Sequence, residues 1–288
     1  MPDHEEEQLP DVTQVTQQLP VARKDLREFL PGLEPERHVT DWGRSERVET
    51  IVDRTVYDFL YHHWFRVETD GIENVPAEGG ALLVANHAGA LPPDGIMIAK
   101  AVREDHPLSR PVHLAVERTF RSLPAVGSIV TKVGAITAHP ANLHRLLFDE
   151  GQLVLLFPEG RDGPRKPLKE RYRLRRFGPR GGFVEAAIRA RVPIVPVAVL
   201  GAEEAQPVFG RIGLPKRLTG LASLPLTSPI PLPAKFKIRF LEPVETNGVP
   251  DDALRDKAFV QTLGHDIRSL IQENLLEMVA ARRSVWLG

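Results

Sequence analysis

The chain has 288 residues, of which 42% are hydrophobic and 26% charged, and its 37 basic and 38 acidic side chains leave a net charge of −1. This length and composition are sufficient for a sizeable buried core, and the balanced charge predicts no nucleic-acid partner. The chain contains no cysteine, which excludes disulfides, thiolate metal sites and a covalent cysteine intermediate.

The N-terminal region is polar and acidic. Residues 1–44 begin with MPDHEEEQ and are interrupted by prolines, which favours a mostly disordered arm with one helical turn around RKDLREFL. This region lacks the basic and apolar parts of a signal peptide, and no uncharged apolar run approaches the roughly 20 residues needed to cross a bilayer. We therefore expect a cytoplasmic protein whose association with a membrane is peripheral.

An amphipathic helix is predicted for residues 45–65, with the sequence SERVETIVDRTVYDFLYHHWF and Ser45 as the N-cap. We interpret its apolar side primarily as packing against the sheet, with a position in a membrane interface as the alternative. The apolar side comprises Val48, Ile51, Val52, Thr55, Val56, Phe59, Leu60 and Phe65.

Short apolar runs then alternate with helical patterns. Strands are predicted at 80–86, 112–117, 133–137, 152–158, 193–199 and 236–241, and helices at 94–103, 119–131, 140–149 and 182–191. The pattern predicts a single α/β domain over residues 45–288, with a mixed, largely parallel sheet covered by helices on both faces. Its α/β core would span residues 66–245, and C-terminal helices would follow within 251–283, interrupted at Gly264.

Two polar clusters follow predicted strands. Asn86 and His87 follow the first, and the sequence PEGR at 158–161 follows the fourth. Ligands of such sheets bind beyond the carboxyl ends of the strands, so the two clusters suggest one shared site. His87 could accept a proton from a hydroxyl, and Asp94 could hold its ring, but Asp94 could equally cap the helix that follows.

Several other functional motifs are missing from the chain. It has no G-x-S-x-G elbow, no Walker loop and no G-x-G-x-x-G sequence. The histidine pairs His62 with His63 and His139 with His144 do not form a convincing ligand set, so we expect no metal site.

Four ordered blocks, NHAGALPPDG, VGAITAHP, LFPEGRD and VPIVPVAV, together resemble the glycerolipid acyltransferase superfamily, which includes lysophosphatidic acid and glycerol-3-phosphate acyltransferases. Each block is weakly specific alone, whereas four in this order are strongly specific, and the resemblance covers roughly residues 65–245. The stretch 201–244 also resembles the branch related to diacylglycerol acyltransferases.

The resemblance implies transfer of a fatty acyl group from acyl-CoA or acyl-carrier protein to a glycerolipid hydroxyl, with the thioester as a co-substrate and no permanently bound cofactor. The acceptor would be lysophosphatidate or a mono- or diacylglycerol. His87 would be the general base and Asp94 its orienting acid. Glu159 and Gly160 would line the substrate pocket, with Arg161 available for an anionic group.

The chain departs from the family pattern at three places. The interval from His87 to Asp94 is two residues longer than the common spacing, which also permits a non-catalytic lipid-binding protein that retains the fold. Pro140 stands where the second block usually ends in arginine, with Arg145 as the nearest substitute, and Arg161 follows Gly160 without the usual intervening residue. The last two departures affect expected phosphate contacts and favour a phosphate-free acceptor.

Two further segments suggest contact with a membrane. Residues 161–180 carry nine Lys/Arg against two acidic side chains, a net charge of +7, and predict attraction to an anionic surface or to donor phosphates. Residues 218–234 contain no charge and four prolines, so they cannot form a regular helix. For residues 161–180 the alternative to a cationic membrane-binding surface is a solvated loop. For residues 218–234 a hydrophobic lip that enters the membrane and a loop that covers the core are the two alternatives.

Overall fold

The computed structural model describes residues 39–88, 93–117, 126–178, 181–213, 223–228 and 230–288. A seven-stranded sheet lies at its centre, and a separate two-stranded hairpin lies beside it. The strands are β1 Glu68–Asp70, β2 Ala81–Ala85, β3 Val112–Val116, β4 Ala135–Thr137, β5 Leu153–Leu156, β6 Ile194–Leu200, β7 Gly210–Gly213, β8 Ser223–Leu226 and β9 Lys237–Phe240.

The central sheet has the order β1-β9-β6-β2-β5-β3-β4. Every neighbouring pair in it runs parallel except β6 with β9. The five residues of β2 are all fully buried. Leu82 and Val84 face one core, whereas Ala81, Leu83 and Ala85 face the other. A parallel strand covered on both faces needs apolar side chains on both, which explains the unbroken apolar run in the sequence.

Helices cover both faces of this sheet. They are α1 Glu46–Val52, continued by π-helical turns Asp53–Tyr57 and Phe59–Trp64, α2 Pro93–Asp105, α3 Val126–Lys132, α4 Pro140–His144, continued by the π-helical turn Arg145–Asp149, α5 Gly182–Ala190, α6 Ala202–Ala205 and α7 Lys257–Ala281. Short 3-10 turns are Ile72–Asn74, Gly160–Arg165, Leu168–Glu170 and Asp251–Arg255. Helices α4, α5 and α7 pack on one face and α2 on the other, which confirms the predicted α/β class.

The first helix begins where the sequence predicts. The Ser45 side chain accepts a hydrogen bond from the Val48 N–H at 3.2 Å, as expected of an N-cap. The expected apolar side is only partly buried, however. Phe65 is fully buried, whereas Val56 and Phe59 are each 51% exposed. The predicted stripe therefore divides into a part that packs on the sheet and a part that faces outward.

The structure corrects two expected boundaries. Residues 39–44 belong to the folded domain, because Val39 pairs with Ser45 and the Trp42 indole donates to Glu150 at 2.8 Å. The rest of the predicted arm lies outside the described residues. The C-terminal region forms one helix from Lys257 to Ala281 without a break, because Gly264 is buried in it against α5.

Three strands were not predicted, namely β1 and the hairpin strands β7 and β8. They are only three or four residues long, which is too short to give a clear alternating pattern. Strand β8 falls within the proline-rich segment 218–234. The predicted helix 119–131 is described only from its second half, as α3, since residues 118–125 lie outside the described part of the chain.

His113 on β3 is a buried histidine that remains neutral in the folded protein. Burial, the largest cause, and the nearby Arg44 guanidinium together lower its pKa to about 4. In the unfolded chain the same ring has a pKa of about 6.5, so the unfolded state binds more protons between these two values.

We therefore predict that the free energy of unfolding falls as the pH falls through 6.5 toward 4. Between pH 7 and pH 5 this ring should account for about 2 kcal/mol of the loss. Urea unfolding of the wild type and of His113→Gln at both pH values measures it, and the variant should lose less stability than the wild type. An equal loss in both proteins would contradict the assignment.

Candidate active site

The carboxyl ends of three adjacent strands bring the polar residues of the site together. Strands β6, β2 and β5 are neighbours and run parallel, so their carboxyl ends meet at one edge of the sheet. His87 follows β2, Glu159 follows β5 and Glu203 follows β6. This placement is the usual one for a ligand site in an open α/β sheet.

His87 and Asp94 are in direct contact. The His87 Nδ1 atom lies 2.9 Å from Asp94 Oδ2, although residues 89–92 between them are not described. Asp94 is fully buried in the first turn of α2, where its carboxylate also accepts the N–H groups of Ala88 at 2.9 Å and Gly95 at 2.8 Å. Asp94 thus accepts an N–H of the first helical turn and contacts the imidazole at the same time. It is not the N-cap, because the helix begins one residue earlier, at Pro93.

This contact determines the chemistry available to the ring. A carboxylate accepts hydrogen bonds, so the Nδ1 atom that faces it carries the proton. The Nε2 atom is then the basic nitrogen of the neutral ring, and Asp94 would stabilise the imidazolium that forms when Nε2 takes a proton. This geometry is the one that a general base and an orienting carboxylate require.

Two further contacts position the His87 ring. It stacks on Phe157, the residue after β5, with 4.2 Å between ring centroids and 21° between planes. Gly163 packs closely on the His87 backbone and Cβ. A Cβ atom at Gly163 would come within 3.0 Å of the His87 Cβ and 2.8 Å of the His87 carbonyl oxygen. Asn86 forms two hydrogen bonds with the Val199 backbone and so fixes the end of β2 to β6.

Glu159 supports the histidine loop instead of lining an open pocket. Its side chain is fully buried, and its two oxygens accept the backbone N–H groups of His87 at 2.9 Å and Arg175 at 2.7 Å. The Lys166 ammonium lies 3.4 Å from the same carboxylate. The predicted pocket-lining role of Glu159 is therefore replaced by a positioning role. Gly160 next to it is exposed and has a φ of 53°.

The two arginines proposed for anionic groups have different outcomes. The side chain of Arg161 lies outside the described atoms. Arg145 is exposed and pairs with Asp41 at 3.1 Å and Glu150 at 2.8 Å, beside the Trp42 ring. Because Glu150 lies at the far end of its helix, just before β5, the Arg145 side chain is directed away from the carboxyl ends of the strands. It does not replace the missing arginine of the second block.

A small cleft opens beside the histidine loop. Its wall includes Ala88, which follows His87, and the charged side chains of Lys166 and Glu203. Sequence reasoning missed Glu203, although the strand PIVPVAVL that precedes it was the available signal. Gly201 makes the turn between them with a φ of 109°, and a Cβ atom there would meet the Lys235 carbonyl at 2.4 Å.

Burial acts on the charged groups of this cleft. It raises the pKa of the Glu203 carboxyl above its usual value, and the nearby Lys166 ammonium opposes that shift. The Lys166 Nζ atom lies 2.7 Å from Glu203 Oε1. Two buried charges of opposite sign therefore stabilise each other in the wall of the cleft.

Residues 171–176, which we call the basic strap, are fixed to α7 by their backbone. Leu174 N–H donates to the Gln272 side chain at 2.8 Å, and the Arg268 guanidinium donates to the carbonyls of Leu174 and Arg175. The side chains of Arg171, Arg173 and Arg176 are exposed. The strap therefore has a defined backbone and directs three cations outward.

One group of potential metal ligands occurs within the described ranges, formed by Asp58, His62 and Glu104. The Lys100 ammonium lies 3.3 Å from Asp58 and 2.9 Å from Glu104, so a protein cation already contacts both carboxylates of this group. Among the same residues, no helix combines the length and the apolar character needed to cross a membrane.

Comparison with known proteins is consistent with this geometry. A family profile described as Acyltransferase matches residues 66–200. An uncharacterized protein of Mycobacterium tuberculosis is 38% identical over 272 residues, which cover 91% of this chain and 75% of that protein. An uncharacterized protein of Mycobacterium leprae is 37% identical over 286 residues, covering 96% and 77%. A Gallus gallus protein described as a DGAT1/2-independent enzyme synthesizing storage lipids is 29% identical over 189 residues, covering 63% and 53%.

The fold also has a counterpart among solved structures. The crystal structure of the 1-acyl-sn-glycerophosphate acyltransferase PlsC from Thermotoga maritima superposes with a TM-score of 0.50 at 19% identity, covering 82% of this chain and 80% of that one. Residues 66–200 therefore carry an acyltransferase domain, and the chain shares its fold with PlsC. The resemblance stated from the four sequence blocks is thereby confirmed.

The close packing of Gly163 on His87 leads to a prediction. In Gly163→Ala the new methyl group would push the His87 backbone, and a shift of this kind should lower turnover by about ten- to a hundredfold. Gly178→Ala is the matched control, because a Cβ atom there meets nothing within 4 Å. Steady-state rates of acyl transfer for both variants test this, and equal rates would contradict the positioning role.

Proposed function

We propose that the protein transfers a fatty acyl group from acyl-CoA or acyl-carrier protein to the hydroxyl of a glycerolipid, with His87 as general base and Asp94 as its orienting acid. The observation that carries this proposal is the 2.9 Å contact between the two side chains at the carboxyl edge of the sheet. The acyltransferase domain of residues 66–200 supports the same reaction.

The reaction needs one proton to be moved twice. His87 Nε2 takes the proton of the acceptor hydroxyl while its oxygen attacks the thioester carbonyl carbon, and a C–O bond forms. When the C–S bond breaks, the departing thiolate takes that proton from the imidazolium and leaves as a thiol. Asp94 keeps its negative charge throughout and stabilises the cation between these two steps. No covalent intermediate on the protein is required.

The lengthened interval between His87 and Asp94 no longer favours a non-catalytic lipid-binding protein. That alternative depended on the two extra residues separating the pair, whereas the pair is within hydrogen-bonding distance. For the acceptor, a mono- or diacylglycerol is favoured over lysophosphatidate, since Arg145 is directed away from the site and cannot bind a phosphate there. The chicken relative, described as synthesizing storage lipids, supports the same choice.

His87→Ala should lower the rate of acyl transfer by about 10²–10⁴-fold, because it removes the general base. Asp94→Asn should also cause a large loss, since it retains the shape but removes the charge that stabilises the imidazolium. Release of free CoA from labelled acyl-CoA on vesicles measures both. His144→Ala is the control, because His144 is exposed and its ring contacts Phe148.

If His87→Ala retained the wild-type rate, the mechanism would be wrong. Transfer of the acyl group to water in the presence of glycerolipid acceptors would instead indicate a hydrolase.

A membrane surface is the partner that we propose for the outer side of the first helix. Its exposed residues include Ile51, Val56 and Phe59, and Ile230 of the proline-rich segment is 69% exposed. The two segments are joined by Trp64, whose ring centroid lies 6.0 Å from that of Phe59 and whose Nε1–H donates to the Pro231 carbonyl at 2.9 Å. We call the exposed side chains of Ile51, Val56, Phe59 and Ile230 the apolar face.

The apolar face lies on segments that reach the cleft. Leu232, in the proline-rich segment, donates its N–H to the Ala205 carbonyl at 2.7 Å. Ala205 lies two residues before Pro207 and Val208, which line the cleft. Arg171 of the basic strap lines the same cleft and is exposed. Apolar side chains with nearby cations are the combination that binds an anionic membrane interface.

The double variant Phe59→Ser/Ile230→Ser should bind vesicles of phosphatidylcholine and phosphatidylglycerol at least about tenfold more weakly, because two exposed apolar side chains no longer enter the interface. Co-sedimentation with the vesicles measures this. Phe148→Ser provides the control, since Phe148 is 55% exposed on the π-helical turn after α4, whose Leu146 and Leu147 pack on the other face of the sheet. An equal loss in the control would show that the apolar face has no special role.

A further inference from the structure

Lys166 and Glu203 in the wall of the cleft beside His87 form one connected ionic group with the buried Glu159. Lys166 lies between two carboxylates, with its Nζ atom 2.7 Å from Glu203 Oε1 and 3.4 Å from Glu159 Oε2. The Lys166 side chain is only 3% exposed, and that of Glu203 is 11% exposed. The formal charges of the three groups sum to −1. The one buried cation of this group is therefore fully compensated by the protein itself.

This arrangement is unfavourable for a phosphate group. A phosphomonoester placed against Lys166 would also lie close to Glu203 and Glu159, and repulsion between like charges is strong where water is excluded. Burial already raises the pKa of the Glu203 carboxyl, which shows that its negative charge is costly even beside the lysine. A second anion would increase that cost.

The same arrangement is favourable for hydroxyl groups. A hydroxyl donates to a carboxylate oxygen and adds no charge, and the Gln206 side chain also lines the cleft. The cleft begins at Ala88, directly after His87, so a glycerol held there would have a hydroxyl close to the proposed base.

We propose that Glu203 is a specificity-determining residue: by neutralising Lys166 in the cleft beside His87, it favours the uncharged glycerol end of a mono- or diacylglycerol and disfavours a phosphorylated acceptor. The proposal rests on the proposed acyl transfer to a glycerolipid. It is independent of the argument from Pro140 and Arg145, because it depends on charges at the end of β6 and not on α4.

Glu203→Gln is the direct test, because the amide keeps the size of the side chain and can still accept the Tyr172 N–H but carries no negative charge. The neighbouring residue provides a matched control. Glu204 pairs with Arg282 at 2.5 Å and accepts from the Tyr172 hydroxyl, and neither contact involves Lys166. Glu204→Gln therefore changes the adjacent charge without releasing the lysine of the cleft.

The measurement is the ratio of kcat/KM for lysophosphatidate to kcat/KM for monoacylglycerol. In Glu203→Gln this ratio should rise about tenfold or more, since the carboxylate nearest Lys166 is gone and the formal charge of the group rises from −1 to 0. The ratio should stay at the wild-type value in Glu204→Gln. In the double variant Lys166→Met/Glu203→Gln the gain should disappear, because the cation is also gone. Thermal unfolding of each variant establishes that it is folded.

Binding of glycerol 3-phosphate, measured by calorimetry, provides a readout that does not depend on turnover. Glu203→Gln should bind it about tenfold more tightly than the wild type and Glu204→Gln should not.

The two proposals fail in different ways. If the wild type transfers acyl groups to monoacylglycerol but Glu203→Gln leaves the acceptor ratio unchanged, the role of Glu203 is overturned and the proposed function stands. If the wild type acylates no glycerolipid, the proposed function fails, and calorimetry alone decides the role of Glu203. Equal binding of glycerol 3-phosphate by the wild type and Glu203→Gln would then overturn it.

Discussion

The Asp94 carboxylate is fully buried, and the edge of the sheet that bears the candidate site is organised around it. A charge without access to water is costly unless hydrogen bonds and an opposite or polarisable partner compensate it. Two backbone N–H groups and the His87 ring provide that compensation here. The Ala88 N–H precedes residues 89–92 and the Gly95 N–H follows them. The one carboxylate that accepts both therefore fixes the backbone on both sides of that segment.

Glu159 fixes the same loop from its other side. It accepts the backbone N–H of His87 and that of Arg175, so it links the end of β2 to the basic strap. The strap is in turn bonded to α7 through Arg268 and Gln272. Two buried carboxylates thus have separate tasks: Asp94 orients the ring, and Glu159 places the backbone that bears it. Neither task requires contact between Glu159 and a substrate.

The α/β fold could be predicted from the sequence because its central strands are buried on both faces and therefore appear as continuous apolar runs. The pairing of His87 with Asp94 could be suggested but not decided, since two extra residues between them can be accommodated only by the path of the loop. The positioning role of Glu159 and the presence of Glu203 at the site depend on strand order. Adjacency of β6, β2 and β5 is a long-range property that no local pattern contains.

The predicted role of Arg145 was wrong because its direction depends on distant ion-pair partners. Its position in the second block suggested a phosphate contact, but the direction of a side chain on a helix depends on its partners, and Asp41 and Glu150 draw it away from the site. Asp41 lies in a segment that composition alone assigned to a disordered arm. A local interpretation of both segments therefore missed the ion pair that connects them.

The bonds between the basic strap and α7 also bear on where the functional unit ends. The family profile stops at residue 200, whereas α7 spans Lys257–Ala281. The backbone N–H that Glu159 binds belongs to a strap held by side chains of that last helix. The C-terminal helix is thus an integral scaffold of the candidate site, and the smallest unit that retains an intact histidine loop is substantially larger than the region recognised by the profile.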